Sequence, residues 1–331
     1  MQRQNNDEMA LSARITLALE KYGTTAISTI LKKDKDTSAV YSLYNIPYSK
    51  DKTDPLRQFD WHCPRFVAGS VHPTPTPTLF YIHGGSWTAA DKSIFTLVAK
   101  DFAEQGLIVI NINYRLLPKV EFEDVYHDVA ECITYCINNA EMFGIDKSQI
   151  FVGGDSAGGH LSSLITANKQ LGKLKIDCTI KGCVLFYGVF DISHLHKLSF
   201  LACRSIGKHF EEIYREKPQE LAQFYHDYSP MQLVTENFPP TFVAAGEVDS
   251  LTATESKPFV QKLTDLGVDC DAIIFPKTRR DARHAFINLH TKARSQAMER
   301  AYTFLHRHIT TPLEKAISTE NLPNPYKKRP I

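Results

Sequence analysis

Ile150-Phe151-Val152-Gly153-Gly154-Asp155-Ser156-Ala157-Gly158-Gly159-His160 is the stretch that decides how this chain folds. The apolar run Ile150 to Val152 predicts a short strand, and the run from His160 to Lys169 predicts a helix. Between them lies Gly-x-Ser-x-Gly, the sharp strand-to-helix turn on which a serine becomes a nucleophile. Glycines at 154 and 158 let strand and helix approach with no side chain between them, and they tolerate backbone that a Cβ would resist. Ser156 is thereby pushed into the open. The helix start beside it offers the N–H of Ala157 to an oxygen anion.

Outward from this turn, apolar strand-like runs alternate with amphipathic helical ones from about residue 66. The strand candidates are Leu79–Ile82, Leu107–Asn113, Ile150–Val152, Cys183–Tyr187, Thr241–Ala245 and Ala272–Phe275. Asp91 is placed to cap a helix whose apolar face is Ile94, Leu97, Val98 and Phe102, ended by Gly106. Val125, Val129, Cys132, Ile133 and Cys136 form a second stripe at helical spacing. Phe259, Val260, Leu263 and Leu266 form a third, closed by Gly267, and Met298, Ala301, Phe304, Leu305 and Ile309 form the last. This alternation predicts an α/β fold with a mostly parallel central sheet and helices on both faces. Two regions break it. Residues 1–45 carry helical patterns, notably Leu11 to Tyr22, before any strand. Residues 192–233 lie between two strand candidates and are far too long for an ordinary loop of roughly 2–6 residues. Both are read as parts of a helical cap, with the catalytic domain over 46–311. The segment 312–331 is rich in proline and lysine and reads as a polar tail.

Composition removes several function classes. Thirty-eight basic and 37 acidic residues give a formal net charge of +1, so nucleic acid is not an expected partner. No apolar stretch approaches the roughly 20 residues that span a bilayer, and Met1 to Glu20 lacks the apolar core of a secretory signal. The expected location is the cytoplasm, without stable membrane insertion. The seven cysteines include no Cys-x-x-Cys pair, and they read as reduced, structural thiols rather than metal ligands.

The chemistry needs partners for Ser156. Upstream, Ile82 ends a strand and leads into His83-Gly84-Gly85-Ser86-Trp87. Two adjacent glycines let consecutive N–H groups point into a cleft, so Gly84, Gly85 and Ala157 are the candidate donors to an oxyanion. Ser86, Trp87 and Asp155 are candidates for the cleft wall. A base is needed on the loop after the last strand, in chain order serine, acid, histidine. Among 13 histidines, His284 fits that slot. His62, His72, His127, His194, His196, His209 and His226 lack a strand-end context and are assigned surface or structural roles. His160 falls in the first helical turn and reads as packing or capping. For the acid, Thr241–Ala245 runs into a turn that offers both Glu247 and Asp249.

With these residues in hand, the chain resembles the hormone-sensitive-lipase family of bacterial esterases within the α/β-hydrolase fold, over roughly residues 75–310. The resemblance rests on His83-Gly84-Gly85, Tyr114-Arg115-Leu116 with Pro118, Gly154-Asp155-Ser156-Ala157-Gly158-Gly159, Gly246-x-x-Asp249-x-Leu251 and His284-x-Phe286. It implies Ser156, Asp249 and His284 as a catalytic triad, a cap built partly from the N-terminal segment, and activity on short acyl esters. Three positions depart from the family pattern. Ser86 stands where a third glycine is usual. Ala253 stands where a second acid usually follows. The connector Lys277-Thr278-Arg279-Arg280-Asp281-Ala282-Arg283 is long and basic, and reads either as a cationic rim or as a solvated loop.

The expected protein is a serine carboxylesterase that needs no metal and no organic cofactor and takes a small-molecule ester. An amidase or arylformamidase with the same triad is the alternative, since fold does not fix chemistry. A catalytically silent ligand receptor, a role this scaffold also serves, would have lost its histidine. Oligomeric state, including a homodimer, is left open by the sequence.

Overall fold

The computed structural model describes residues 39–65, 75–198 and 201–310. They build an eight-stranded sheet of order β1-β2-β4-β3-β5-β6-β7-β8. The strands are β1 (Val40–Pro47), β2 (Gln58–Pro64), β3 (Thr76–Ile82), β4 (Ile108–Ile112), β5 (Ile145–Asp155), β6 (Ile180–Phe186), β7 (Thr241–Gly246) and β8 (Cys270–Phe275). β3 to β8 pair parallel with one another, whereas β1–β2 and β2–β4 pair antiparallel. All six strand candidates fall on observed strands, with ends moved by a few residues.

The two antiparallel strands carried no usable sequence signal. In β2 every residue after the first is buried, including the polar Asp60 and His62, so no apolar–polar alternation shows. Each of these polar groups has a partner. Asp60 Oδ1 lies 2.6 Å from Lys92 Nζ, and His62 Nδ1 lies 2.8 Å from Ser42 Oγ. β1 is an edge strand whose register shifts between Leu43 and Ile46, with Asn45 at φ 59°. A shift of that kind breaks the two-residue period that betrays a strand. β1 also runs across the domain boundary expected at residue 45. The helical pattern at Leu11 to Tyr22 and the tail 312–331 lie outside the described residues.

Helices cover both faces. α1 (Thr96–Glu104) and α7 (Lys292–His308) pack on one side, with Phe102, Val98, Phe304 and Ala301 against Leu79, Val109, Phe151 and Phe242. α2 (Phe122–Asn138), α3 (Ala157–Gln170) and α6 (Lys257–Asp265) pack on the other, with Val129, Leu161 and Phe259 against Phe80, Val152 and Leu185. Asp91 caps a 3-10 turn, Lys92–Phe95, by accepting from Ser93 N, and α1 begins only after it. The long segment after β6 holds a 3-10 turn (Ile192–Lys197), α4 (Leu201–Ile213), α5 (Pro218–Asp227) and a single turn, Pro230–Leu233. It is the extra structure that its length required.

Parallel register places the strand ends that matter along one edge. Ile82 of β3 and Leu185 of β6 both pair with Gly154 of β5. The loops after β3, β5, β7 and β8 therefore open on the same C-terminal rim, where α/β sheets gather their functional groups.

Candidate active site

Ser156 occupies the turn between β5 and α3 at φ 51°, ψ −118°. Such a backbone is strained for a residue with a Cβ and must be held by its surroundings. The Ser156 N–H donates to the Phe186 carbonyl at 2.9 Å, and its carbonyl accepts the His160 N–H at 3.1 Å. Close approach explains the flanking glycines. A Cβ on Gly158 would stand 1.9 Å from the Ile82 carbonyl oxygen, and one on Gly154 would stand 2.2 Å from the same atom.

Three side chains meet on the rim. His284 Nε2 lies 3.0 Å from Ser156 Oγ, and His284 Nδ1 lies 2.6 Å from Asp249 Oδ2. Asp249 keeps its other oxygen occupied, since Oδ1 accepts the Leu251 N–H at 3.0 Å. That bond supplies local support of the kind the alanine at 253 does not. The turn's other acid faces elsewhere: Glu247 binds Lys257 Nζ at 2.5 Å and the Lys277 N–H at 3.2 Å. Of the two carboxylates left open by the strand-and-turn pattern, only Asp249 reaches the imidazole.

His284 is held from behind as well. The Tyr187 ring, buried just past β6, lies 4.9 Å from the imidazole centroid at a 60° tilt. Tyr187 takes a positive φ of 38°, with its N–H on the Ala244 carbonyl at 2.7 Å. The connector before His284 is largely self-paired. Arg279 forks onto Asp281 at 2.9 and 3.0 Å, donates to Gln296 at 2.7 Å and lies over the Phe275 ring. The Arg279 guanidinium holds the Asp281 carboxyl down at about 2. Arg279 thus serves as a brace for the loop that carries His284, while Lys277, Arg280 and Arg283 remain exposed.

The loop after β3 corrects part of the sequence reading. The Gly84 N–H does not face an incoming carbonyl, because it donates to Asp155 Oδ1 at 3.1 Å. Gly85 turns at φ 119°, followed by Ser86 and Trp87 at 52° and 59°. His83, fully buried, fixes the turn from beneath: its Nδ1 lies 2.7 Å from the Gly84 carbonyl, and its ring stacks 4.3 Å from Tyr114. Trp87 is not a cleft wall. It is 0% exposed, with its ring 5.6 Å from Phe122 and 5.2 Å from His160. Asp155 is likewise taken up inside, since its Oδ1 also receives the Tyr81 hydroxyl at 3.3 Å. Ser86 is buried too, at 3% exposure. His160 packs as expected, with Nε2 2.8 Å from the Tyr228 carbonyl.

A family model described as BD-FAE matches residues 68–263, more than half of the chain. The chain belongs to the BD-FAE family. Over 200 residues it is 33% identical to a probable carboxylic ester hydrolase, LipM, of Mycobacterium tuberculosis, covering 58% of this chain and 46% of that one. Over 223 residues it is 26% identical to the isoprenylcysteine alpha-carbonyl methylesterase ICME of Arabidopsis thaliana, covering 62% and 50%. The chain thus spans about half the length of these curated relatives. Among solved structures, esterase B from Lactobacillus rhamnosis superposes with a TM-score of 0.77 at 19% identity, covering 92% of this chain and 97% of that one. A bacterial heroin esterase superposes at 0.70 and 21% identity, covering 89% and 92%. At these identities the likeness carries the α/β-hydrolase fold. It agrees with the fold that the motif resemblance implied.

In this BD-FAE chain Asp155 is the residue whose role the motif hides. Burial pushes its carboxyl up to about 7, against the pull of the Gly84 N–H, His284 and Tyr81. An unfolded aspartate titrates near its ordinary 3.8. Between about pH 4 and about pH 7 the folded chain therefore holds a proton that the unfolded chain releases, and this group's effect on stability turns unfavourable as pH rises. Asp155→Asn keeps an acceptor for Gly84 and Tyr81. It is expected to raise Tm at pH 7 and to flatten the fall between about pH 4 and about pH 7, read by thermal unfolding across that range. Asp155→Ala leaves the Gly84 N–H without its acceptor and frees the loop. Turnover is expected to drop by up to roughly 10²-fold, as when an oxyanion donor is misplaced.

Proposed function

We propose that this protein is a serine carboxylesterase acting on esters with short acyl chains through an acyl-enzyme. The observation that carries the reading is the unbroken relay from Ser156 Oγ to His284 Nε2 at 3.0 Å and from His284 Nδ1 to Asp249 Oδ2 at 2.6 Å. Relatives named as carboxylic ester hydrolases support the choice of bond.

The reaction follows from the geometry. The hydrogen bond from Nδ1–H to Asp249 leaves the Nε2 lone pair facing the serine. As Ser156 Oγ bonds to the ester carbonyl carbon, its proton passes to His284 Nε2 and the carbonyl oxygen takes the negative charge. Asp249 steadies the imidazolium so formed. With Gly84 occupied, the N–H groups of Gly85 and Ala157 are the donors assigned to the oxyanion. Collapse of the intermediate breaks the bond to the alcohol, which leaves with the Nε2 proton. Water then gives a proton to His284, attacks the acyl carbon and releases the acid, restoring Ser156. The seven free thiols, five buried and those of Cys178 and Cys270 half-buried, fit the expected reducing cytoplasm.

A series of p-nitrophenyl esters from acetate upward, run beside an N-formyl arylamine, tests the proposal. The expected result is higher kcat/KM on the ester, greatest at the short end of the series. Faster turnover per active site on the formamide would overturn it.

A further inference from the structure

The insertion between β6 and β7 is closed at its root by its own ends. The Met231 N–H donates to the Phe190 carbonyl at 2.8 Å. The Ile192 N–H donates to Ser229 Oγ at 3.0 Å, and the Ser229 hydroxyl reaches Asp191 Oδ1 at 3.3 Å. A carboxylate from another element grips this root. Glu255 lies in the π-helical turn Thr252–Ser256, on the segment that begins at Asp249. Its side chain is 0% exposed. Oε2 accepts two N–H groups, from Phe190 at 2.7 Å and Asp191 at 3.0 Å, while Oε1 lies 2.7 Å from His194 Nε2. A wholly buried carboxylate is costly unless its lone pairs are filled, and among the described residues the hydrogen-bond partners of both oxygens lie in the insertion root. Four residues further on, Phe259 stacks on the Phe190 ring at 3.9 Å.

The insertion's far side touches the rest of the site. Phe210, Phe224 and Tyr228 ring the Phe122 side chain at 5.4, 5.9 and 5.5 Å, and Phe122 meets Trp87 of the glycine loop. The insertion is thus held between the segment bearing Asp249 and the loop bearing Gly85. We propose that Glu255 is a positioning residue: it clamps the root of the insertion to the Asp249 segment and so sets where α4 and α5 stand against Phe122 and the glycine loop, without entering the proton relay. This inference rests on the serine-esterase reading above.

The clamp has a titratable partner. His194 is raised above its ordinary 6.5, first by the hydrogen bond it donates to Glu255 and then by the charges of Glu255 and Asp191, with burial and Lys197 opposing. The charged groups of α4 that face this segment are engaged elsewhere, Glu211 with His196 and Arg204 with the Leu198 carbonyl. A histidine raised in the folded state strengthens its contact below the ordinary pKa and loses that contribution as pH rises through the folded one. The clamp therefore tightens as pH falls through a transition above 6.5.

Glu255→Gln separates the two halves of the clamp. Its amide oxygen can accept both backbone N–H groups, which converge on one atom, while its NH2 faces His194. A neutral His194 can accept from that NH2, but an imidazolium cannot. The test follows amide protection at Phe190, Asp191 and Met231, corrected for intrinsic exchange, and KM for p-nitrophenyl hexanoate, both across pH. Wild type should gain protection as pH falls, and Glu255→Gln should lose it, with KM rising roughly tenfold at the acid end and kcat for the acetate little changed. His194→Gln should abolish the pH dependence while leaving the backbone clamp intact, and it decides the matter should Glu255→Gln fail to fold. The proposal is overturned if either variant keeps the wild-type pH dependence of protection and KM. It is overturned as well if Glu255→Gln lowers kcat equally for every ester while protection stays unchanged. Phosphonylation of Ser156 in the same samples tests the esterase reading separately: its absence in wild type would sink that reading whatever the clamp does.

Discussion

Replacing Ser156 with alanine is expected to lower kcat on an activated short-chain ester by roughly 10⁶-fold, as loss of a nucleophile does in hydrolases of this kind. The alanine removes Oγ and little else. The strained turn is held by backbone contacts, the Ser156 N–H on Phe186 and the His160 N–H on the residue-156 carbonyl, so the fold should survive. Residual catalysis of roughly 10³–10⁴ over water should remain from the donors at Gly85 and Ala157 and from binding. Steady-state kinetics with enzyme at high concentration, together with circular dichroism, checks both halves. A variant that is folded and still turns over at a tenth of the parent rate or better would show that the hydroxyl is not the nucleophile.

Asp249→Asn is expected to lower kcat by roughly 10⁴-fold while leaving the geometry nearly unchanged. The aspartate accepts from His284 Nδ1 at 2.6 Å and from the Leu251 N–H at 3.0 Å. An asparagine that keeps its oxygen on Leu251 turns its NH2 toward Nδ1. That contact favours the tautomer with the proton on Nε2, which then cannot accept the Ser156 proton. Desolvation sharpens the effect, because Asp249 is 6% exposed and no water replaces the lost carboxylate. Replacing Glu247 by Gln offers the contrast. Its bonds run to Lys257 and Lys277, so kcat should stay near the parent value. Kinetics on the two variants side by side would expose an error in assigning the acid.

What the sequence could and could not reveal follows from how each feature is written. Ser156 and the parallel strands are legible because a strand end, a turn and a helix start follow each other within a few residues, and His284 because it lies in the loop after the last strand. The strand-and-turn pattern alone did not separate Asp249 from Glu247. The motif resemblance implied Asp249, and the fold shows why, since Asp249 faces His284 and Glu247 faces Lys257. β2 was invisible for the opposite reason, since its buried Asp60 and His62 find partners in Lys92 and Ser42, which lie tens of positions away in the chain. The glycine loop misled at Gly84 and Trp87. Adjacent glycines announce a turn but not which N–H is already taken, and the Asp155 carboxylate that takes it lies 71 positions along the chain. A large aromatic beside a cleft motif gives no sign of pointing inward until Phe122 and His160 are seen around it. The length of the 192–233 segment gave its helices away, but Glu255 could not be read as its clamp, because the π-helical turn that aims it has no pattern in a single sequence.

Peptide mapping after reaction with a fluorophosphonate tests the central claim most directly. A single adduct on the peptide containing Ser156, abolished in His284→Ala while the protein remains folded, is the expected result. Esterase activity that persists in a folded protein whose Ser156 stays unmodified after full reaction with the probe would contradict it.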